Sequence, residues 1–553
     1  MAKGRAKTTK RWPFSGGQTL LGLVSGLLAV ALVMVAMQIG SLSARNPIYA
    51  STVQATERLA VASVSPLTSD SSSWYCNWYL PAQGGLTQAS VLLANTSAKD
   101  LSAKVKIYSG THTVNRKLEI PAHSFLKYPQ TVTPKIQSGS LSFIANGGGT
   151  VAEIELSGPS GSTVAPCNSS PSANWRVLGA NTLPGSSAGV SIFNPFSQDA
   201  VVDVSLSSSS QQFSPGALKA MVINPNQSKL VNLSQYFAGH SHVVVSVTTR
   251  IGRVVVGGII QRDNNGNTGL AALASFPSTA STWRFPVGQL SANQNQEIIV
   301  YNPNSYVVNV VADFSYLDLK QVPSVSTTST TSTTAAAAAA KTQKVVPKRA
   351  ATAKSSAGSV PKSSYSVNQA IQANSLAVIS VKADTSIQPD ISYKAKLVVK
   401  GGYGVVSAEA FLGSANSPNV RYQVVGGIPL TTQHWIALFD PSSIGLSNVQ
   451  AWLATVDNKS KDAVAQKTPL VDLGPTYLSP PGKTPAALPI LQAQTAPTSK
   501  SVLKSPLRLH AVGALTSSVT GVIISSKSAF AIGTVMGPSA TDWYVVPVLP
   551  FAN

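Results

Sequence analysis

Short segments in which apolar and polar residues alternate fill the chain from about residue 74 onward. They come in pairs around glycine- or serine-rich turns, at 141–145 and 151–156, 243–248 and 254–260, 397–399 and 405–411, and 522–524 and 529–535. Alternation with a period of two, rich in β-branched residues and interrupted by such turns, is typical of antiparallel hairpins. The pattern therefore predicts an all-β protein.

A second pattern repeats over a longer distance. Four times, an aromatic residue is followed 17 to 19 residues later by Asn or Asp, with a strand-like segment on either side of the polar residue. The aromatic residues are Trp78, Trp175, Trp283 and Tyr422, and the polar residues are Asn95, Asn194, Asn302 and Asp440. Because large aromatic side chains fill protein cores, we predict that these residues are structural anchors of a repeat. Stacking of sugars on the aromatic rings is the alternative role.

The repeat divides the chain into four β units of about seven short strands each. The predicted boundaries are 74–170, 171–279, 280–416 and 417–541, followed by a closing strand at 542–553. This strand density favours immunoglobulin-like β-sandwiches arranged in tandem. Residues 543–547 repeat the opening strand of a unit, although six residues follow them. A closed, propeller-like ring of β units is therefore the alternative architecture.

Two low-complexity insertions interrupt the units, at 324–362 in unit 3 and at 457–505 in unit 4. Both have too few apolar residues to offset the entropy of ordering, so we predict that they are disordered. The first insertion carries six basic residues and no acidic one: Lys341, Lys344, Lys348, Arg349, Lys354 and Lys362. We predict that this arm contacts anionic polymers.

The N-terminal region predicts a membrane anchor. A basic tail at 1–16 precedes a helix predicted at 17–40, whose apolar centre at 20–39 is long enough to cross a hydrocarbon core of about 30 Å. Five basic residues before this span and one after it place the N-terminus in the cytoplasm and the rest outside, beyond a linker at 41–73. The alternative is a cleaved signal peptide, which has a shorter apolar region, and a secreted protein.

Composition narrows the possible chemistry. Charged residues make up 11% of the chain, and 41 Lys and Arg oppose 20 Asp and Glu, giving a net charge of +21. So few acidic residues exclude a carboxylate-rich metalloprotein, and two cysteines exclude a four-cysteine zinc site or an iron–sulfur cluster. In an oxidising compartment Cys76 and Cys167 are expected to form a disulfide. Two free thiols are the alternative.

Three segments carry a resemblance to a known family: 74–76 (Trp-Tyr-Cys), 165–167 (Ala-Pro-Cys) and 192–203. They resemble the membrane-anchored or secreted actinobacterial family catalogued as domain of unknown function fifty-seven-nineteen. The resemblance covers roughly residues 70–320 well and the remainder loosely, and the two basic insertions depart from it. It implies an actinobacterial cell envelope as the setting and a bridge between Cys76 and Cys167. It implies no activity.

Candidate catalytic and metal-binding residues are few. His240 and His242 alternate as two zinc ligands would, but no third ligand is near in sequence, and a loop-to-strand junction explains them more simply. The polar turn at 263–267 resembles a calcium loop that lacks its final Glu. Glu153 and Glu155, the only close pair of glutamates, are interpreted as a solvated strand face. With no nucleophile elbow or phosphate-binding loop, we predict no catalytic residue, metal or cofactor.

The predicted function follows from charge and location. Positive charge outside the cell favours anionic wall polymers or lipid headgroups over nucleic acid as partners, with a role in solubility as the alternative. We predict a non-catalytic, membrane-anchored extracytoplasmic protein that binds, spaces or organises envelope components and contacts the membrane through 20–39. An accessory subunit of an envelope glycan-building enzyme and a secreted wall hydrolase are the alternatives. The sequence predicts no oligomeric state.

Overall fold

The computed structural model describes the residues in the following ranges: 61–79, 85–109, 112–130, 132, 138–263, 269–286, 289–290, 294–316, 364–381, 391–401, 404–413, 422–438, 449–456, 476–478, 490–494, 507–512, 521–537, 544–546 and 548–551. The chain divides between Ala55 and Thr56, and all the described residues belong to the second part, Thr56–Asn553. The predicted basic tail, the helix at 17–40 and the insertion at 324–362 lie outside the described residues, as does most of 457–505. Across the ranges described, no helix has the length and apolar character needed to cross a membrane.

Unit 1 consists of two four-stranded antiparallel sheets. Its strands are β1 (Ser72–Tyr79), β2 (Gln88–Asn95), β3 (Leu101–Ser109), β4 (His112–Ile120), β5 (Ser124–Gln130), β6 (Ser138–Ala145), β7 (Thr150–Gly158) and β8 (Gly161–Pro166). The strand orders are β1-β6-β3-β4 and β5-β2-β7-β8. Alternate residues of both sheets, such as Phe143 and Val91, are buried in one core because a strand points successive side chains to opposite faces.

Unit 2 repeats this arrangement, and pairing of β9 with β17 joins its two sheets into one. Its strands are β9 (Asn174–Ala180), β10 (Ser186–Phe193), β11 (Ala200–Ser207), β12 (Gln212–Phe213), β13 (Met221–Ile223), β14 (Ser228–Asn232), β15 (Val243–Ile251), β16 (Val255–Arg262) and β17 (Gly269–Phe276). Two short 3-10 helices, Gly216–Leu218 and Leu233–Gln235, lie in the connections. The order β12-β11-β15-β9 corresponds to β4-β3-β6-β1, and β17-β16-β10-β14 corresponds to β8-β7-β2-β5.

Unit 3 has the same strand orders again, β22-β21-β24-β18 and β23-β20-β25-β26. Its strands are β18 (Thr282–Phe285), β19 (Gln289–Leu290), β20 (Gln294–Asn302), β21 (Val308–Tyr316), β22 (Ser364–Ile371), β23 (Ser375–Val381), β24 (Ile391–Lys400), β25 (Val406–Gly413) and β26 (Gln423–Gly426). Strand β26 pairs with β25, so the sheet of unit 3 continues past the predicted boundary at 416.

Unit 4 departs from this plan. Its strands are β27 (Thr432–Leu438), β28 (Val449–Val456), β29 (Thr476–Leu478), β30 (Ile490–Gln494), β31 (Leu507–Val512), β32 (Gly521–Gly537), β33 (Tyr544–Val546) and β34 (Leu549–Pro550). The hairpin predicted around 525–528 is one continuous strand, β32. The turn sequence there, Ser-Ser-Lys-Ser, has none of the Gly or Asn residues that tight hairpin turns need for positive φ, so the backbone stays extended.

The units share cores rather than standing apart. One buried apolar cluster includes Trp175 of unit 2 and Trp283 of unit 3. A second joins unit 1 to residues of unit 4, among them Ile436, Leu438 and Leu549. Because apolar burial is the main driving force of folding, each cluster couples the units that contribute to it.

The closing strands of the four units meet at a common centre. Strand β8 contacts β17, β17 contacts β26, β26 contacts β33, and β33 contacts β8. The start and end of the described chain also meet, since the Val64 N–H donates to Pro550 O at 2.9 Å and Val64 forms a parallel bridge with Phe551. The predicted all-β class with antiparallel sheets is confirmed. The immunoglobulin-like character of the repeats stays a prediction.

Candidate functional site

A disulfide closes the edge of unit 1 that faces this centre. Cys76 on β1 bonds to Cys167, which directly follows β8, so the predicted bridge is present. On either side of it Tyr75 and Asn168 exchange two backbone hydrogen bonds of 2.8 and 2.9 Å. In unit 2 the corresponding strands β17 and β9 pair directly. The disulfide therefore reinforces in unit 1 an edge that unit 2 closes by strand pairing alone.

The predicted asparagine anchors form the same network three times. Asn95, Asn194 and Asn302 are fully buried where β2, β10 and β20 end. Each Nδ2 donates to the carbonyl four residues later at 2.7 Å and to a distant carbonyl at 3.0–3.1 Å, that of Ile120, Ile223 or Ile371. Each Oδ1 accepts from the backbone N–H two residues later. These amides hold the turn after the strand, and Asp440 lies outside the described residues.

The tryptophan anchors fit this repeat with one shift. The indoles of Trp175 and Trp283 are fully buried and donate to Val254 O at 2.8 Å and Val405 O at 3.0 Å. In unit 1 the corresponding bond, to Thr150 O at 3.0 Å, comes from Trp74. Trp78 is buried four residues further along β1, and its Nε1 has no hydrogen-bond partner among the described residues. The spacing to the asparagine predicts Trp78 as the anchor of unit 1, whereas the hydrogen bond that corresponds to those of Trp175 and Trp283 comes from Trp74.

Tyr422 connects units 2 and 3 rather than opening unit 4. It directly precedes β26, and its hydroxyl donates to Gly179 O of unit 2 at 2.7 Å. The Arg262 guanidinium lies 4.6 Å from the centre of its ring. Burial raises the pKa of Tyr422, so the phenol stays protonated and donates. The spacing from Tyr422 to Asp440 matched the repeat, but the backbone pairing assigns this aromatic residue to the closing strand of unit 3.

The glutamate pair of unit 1 is buried, so its interpretation as a solvated strand face is wrong. Glu153 is fully buried, and within the described part of the chain neither carboxyl oxygen has a hydrogen-bond partner. Burial raises the pKa of Glu153 well above its usual value. Glu155 is also buried and lies 2.7 Å from Nζ of Lys127. Packing on other parts of the fold, which short-range alternation does not encode, produces this burial.

A group of lysines occupies the outward face of β3 and β4, called here the basic face. Lys104 lies directly opposite Lys117, and Lys106 lies opposite Asn115. Lys117 is 3.1 Å from Glu119 with 76% of its side chain exposed, while Lys104 and Lys106 have no ion pair within the described ranges. Like charges directly opposite in a sheet are destabilising. Folding alone therefore does not account for this arrangement.

A cavity of about 170 Å³ lies where the closing strands meet, called here the central cavity. Its walls are mostly apolar and include Leu156 of unit 1, Ile259 of unit 2, Phe285 of unit 3 and Trp435 of unit 4. Glu409 of β25 also lines it and accepts a hydrogen bond from the Tyr393 hydroxyl through Oε1. Burial raises the pKa of Glu409 to about 8, so its carboxyl is protonated at neutral pH.

The two histidines of the candidate zinc pair have separate neighbours. The His240 ring stacks on Phe237 with a centroid distance of 3.9 Å. His242 Nε2 lies 2.8 Å from Glu297 Oε2 of unit 3. Across the described ranges, no three or more His, Cys, Asp or Glu side chains are grouped closely enough to hold a metal. The pair therefore forms contacts within unit 2 and between units 2 and 3. The basic arm from Lys341 to Lys362 lies outside the described residues.

Comparison with known proteins yields one family. The model of a family described as "Family of unknown function (DUF5719)" matches residues 148–304, from the turn before β7 through unit 2 to the end of β20. No curated protein matches the chain. A solved chain described as "Structure of infectious bursal disease virus Gx strain" is 10% identical and covers 89% of this chain and 88% of its own, with a TM-score of 0.11. So low a score identifies no common fold.

Proposed function

We propose that this chain is a non-catalytic extracytoplasmic protein that binds anionic polymers of the cell envelope through the basic face. The observation that carries the proposal is the group of lysines on β3 and β4, of which Lys104 and Lys106 have no ion pair within the described residues. We further propose anchoring through 17–40, an actinobacterial envelope as the setting, and immunoglobulin-like units closed into a ring. The Cys76–Cys167 bridge supports an oxidising compartment, and the contacts among the closing strands support the ring.

The geometry of the basic face suits a repeating anion. Residues two apart on one antiparallel strand are separated by about 7 Å, and directly opposite residues by about 5 Å. Lys104, Lys106 and Lys117 thus present three positive charges on one face of a hydrogen-bonded strand pair, with Glu119 beside Lys117. A polymer with regularly spaced phosphates can engage several of them at once, so weak individual contacts add through high effective concentration.

The test compares two triple substitutions that remove the same charge. Replacing Lys104, Lys106 and Lys117 by Ala should weaken binding of a poly(glycerol phosphate) polymer about tenfold. The control replaces the exposed Lys99, Lys219 and Lys229 by Ala, which lie elsewhere on the surface. Binding is measured by isothermal titration calorimetry at several salt concentrations, since exposed charges are screened over about 8 Å at physiological ionic strength.

The experiment distinguishes three outcomes. A loss confined to the first variant, largest at low salt, supports recognition by the basic face. Equal losses in both variants mean that net charge alone governs binding, and the basic face is then not a site. Undiminished binding by the first variant leaves the arm that contains Lys341 and Lys344 as the contact to test.

A further inference from the structure

The central cavity is large enough for a small molecule. A cavity of about 150 Å³ lined by aliphatic and aromatic side chains stays dry and accepts a molecule the size of benzene. The central cavity, at about 170 Å³, is slightly larger and is mostly apolar. Packed interiors rarely leave voids of this size. Its walls come from strands of several units, so the cavity is a product of their association.

Glu409 is a buried polar side chain in this wall whose hydrogen-bonding capacity is only partly used. Its Oε1 accepts from Tyr393, which leaves the other carboxyl oxygen for the cavity. The lining amides of Asn77 and Asn168 donate to backbone carbonyls, Ser191 O at 2.8 Å and Val256 O at 3.5 Å. With the pKa of Glu409 raised to about 8 by burial, the carboxyl keeps its proton at neutral pH and can donate one hydrogen bond.

Comparison of the repeats shows that folding does not require this acid. The tryptophan hydrogen bonds align Thr150, Val254 and Val405, which places Ile154 and Gly258 at the position of Glu409. Both counterparts also line the cavity, and neither carries a polar side chain. Burying a carboxyl group costs stability. At this position of the cavity wall, unit 3 alone among units 1 to 3 carries a carboxyl group, which indicates a role in binding.

We propose that the central cavity binds an uncharged, largely apolar molecule or substituent of about six to eight non-hydrogen atoms, whose single oxygen accepts a hydrogen bond from Glu409. The apolar walls select against charged groups, since an unpaired charge is poorly tolerated in such surroundings. The acid orients the ligand through its oxygen. This site is separate from the basic face and does not depend on the function proposed for it.

Two probes of the same ring size test the proposal on the full chain. Cyclohexanone carries the acceptor oxygen and cyclohexane does not, and binding of each is measured by ligand-observed NMR in one detergent for all variants. We expect Glu409→Leu to weaken cyclohexanone about tenfold and to change cyclohexane less than twofold. Ala272→Leu places extra volume on the β17 wall and should abolish both. Ala98→Leu, in an exposed turn, should change neither.

Other results overturn the proposal. Equal cyclohexanone affinity in the wild type and Glu409→Leu shows that the acid does not contact the ligand. Binding that survives Ala272→Leu takes place outside the cavity. Cyclohexylamine, a cation with the same ring, serves as a third probe, and tighter binding of it than of cyclohexanone would show that the site prefers cations. If Ala272→Leu does not fold, Ala274→Leu on the same wall replaces it. The comparison of cyclohexanone with cyclohexane on Glu409→Leu does not depend on either alanine variant.

Discussion

Replacing Glu409 by glutamine should make the protein more stable at neutral and mildly alkaline pH and leave it unchanged in acid. Glutamine has the same shape, keeps an oxygen that accepts from Tyr393, and cannot ionise. The wild-type carboxyl has a pKa of about 8 in the folded protein, against 4.5 for an unperturbed glutamate. Between these two pH values the folded state holds a proton that the unfolded chain releases.

The sign and size of the effect follow from proton linkage. Because the folded state binds the extra proton, its contribution to stability is complete below pH 4.5 and is lost as the pH rises to about 8. A difference of about 3.5 pKa units corresponds to about 5 kcal/mol at most, at 1.36 kcal/mol per unit. Glu409→Gln removes this slope. The variant and the wild type should therefore coincide near pH 4 and diverge by several kcal/mol near pH 8.

Thermal and urea unfolding of both proteins between pH 4 and 9 provides the measurement. Glu153 is present in both proteins, so its own titration cancels in the difference. Glu119→Gln, at an exposed glutamate, is the matched control and should change stability little at any pH. A stability difference for Glu409→Gln that is constant with pH, or that grows toward acid, would refute the reasoning.

Three further predictions concern the disulfide, the buried amides and the basic arm. Replacing Cys76 and Cys167 by Ser should lower the free energy of unfolding by up to about 4–5 kcal/mol. Calorimetry should show units 1 and 4 melting together because they share a core, and a separate transition for unit 4 would contradict this. Asn302→Asp removes two buried donors and should lower the melting temperature strongly. Asn309→Asp, at an exposed position of β21, should have less effect, and equal shifts would argue against the network. Deleting 324–362 should leave the melting temperature nearly unchanged and reduce retention on isolated anionic wall at low salt, and retention equal to that of the full chain would make the arm a spacer.

The features predicted correctly from the sequence are those encoded over short distances. Alternation of period two determines that a segment is a strand with two different faces, and the all-β class follows from it. The asparagine network was also accessible, because each amide reaches a backbone N–H two residues away and a carbonyl four residues away. A side chain that hydrogen-bonds within its own turn recurs at the same position of that turn in every repeat.

The features that sequence reasoning missed depend on distant partners. Whether Trp74 or Trp78 donates the repeated hydrogen bond depends on how β1 lies against the strand that begins at Thr150, more than 70 residues away. Glu153 is buried because other parts of the fold cover its strand face. Alternation of polar and apolar residues is the same whether the polar face of a strand is exposed or covered, so the sequence pattern does not reveal this burial. The central cavity exists only once strands from several units meet.

The shared core of units 1 and 4 has a consequence for the order of events during synthesis. The core of the first unit includes Leu549, which follows Val64 by about 485 residues. At about 5–20 residues per second, translation needs roughly 25 to 100 s to cover that distance. Throughout this interval the apolar surface of unit 1 that faces Ile436, Leu438 and Leu549 lacks its covering. The unit that is made first is therefore the one whose core is completed last.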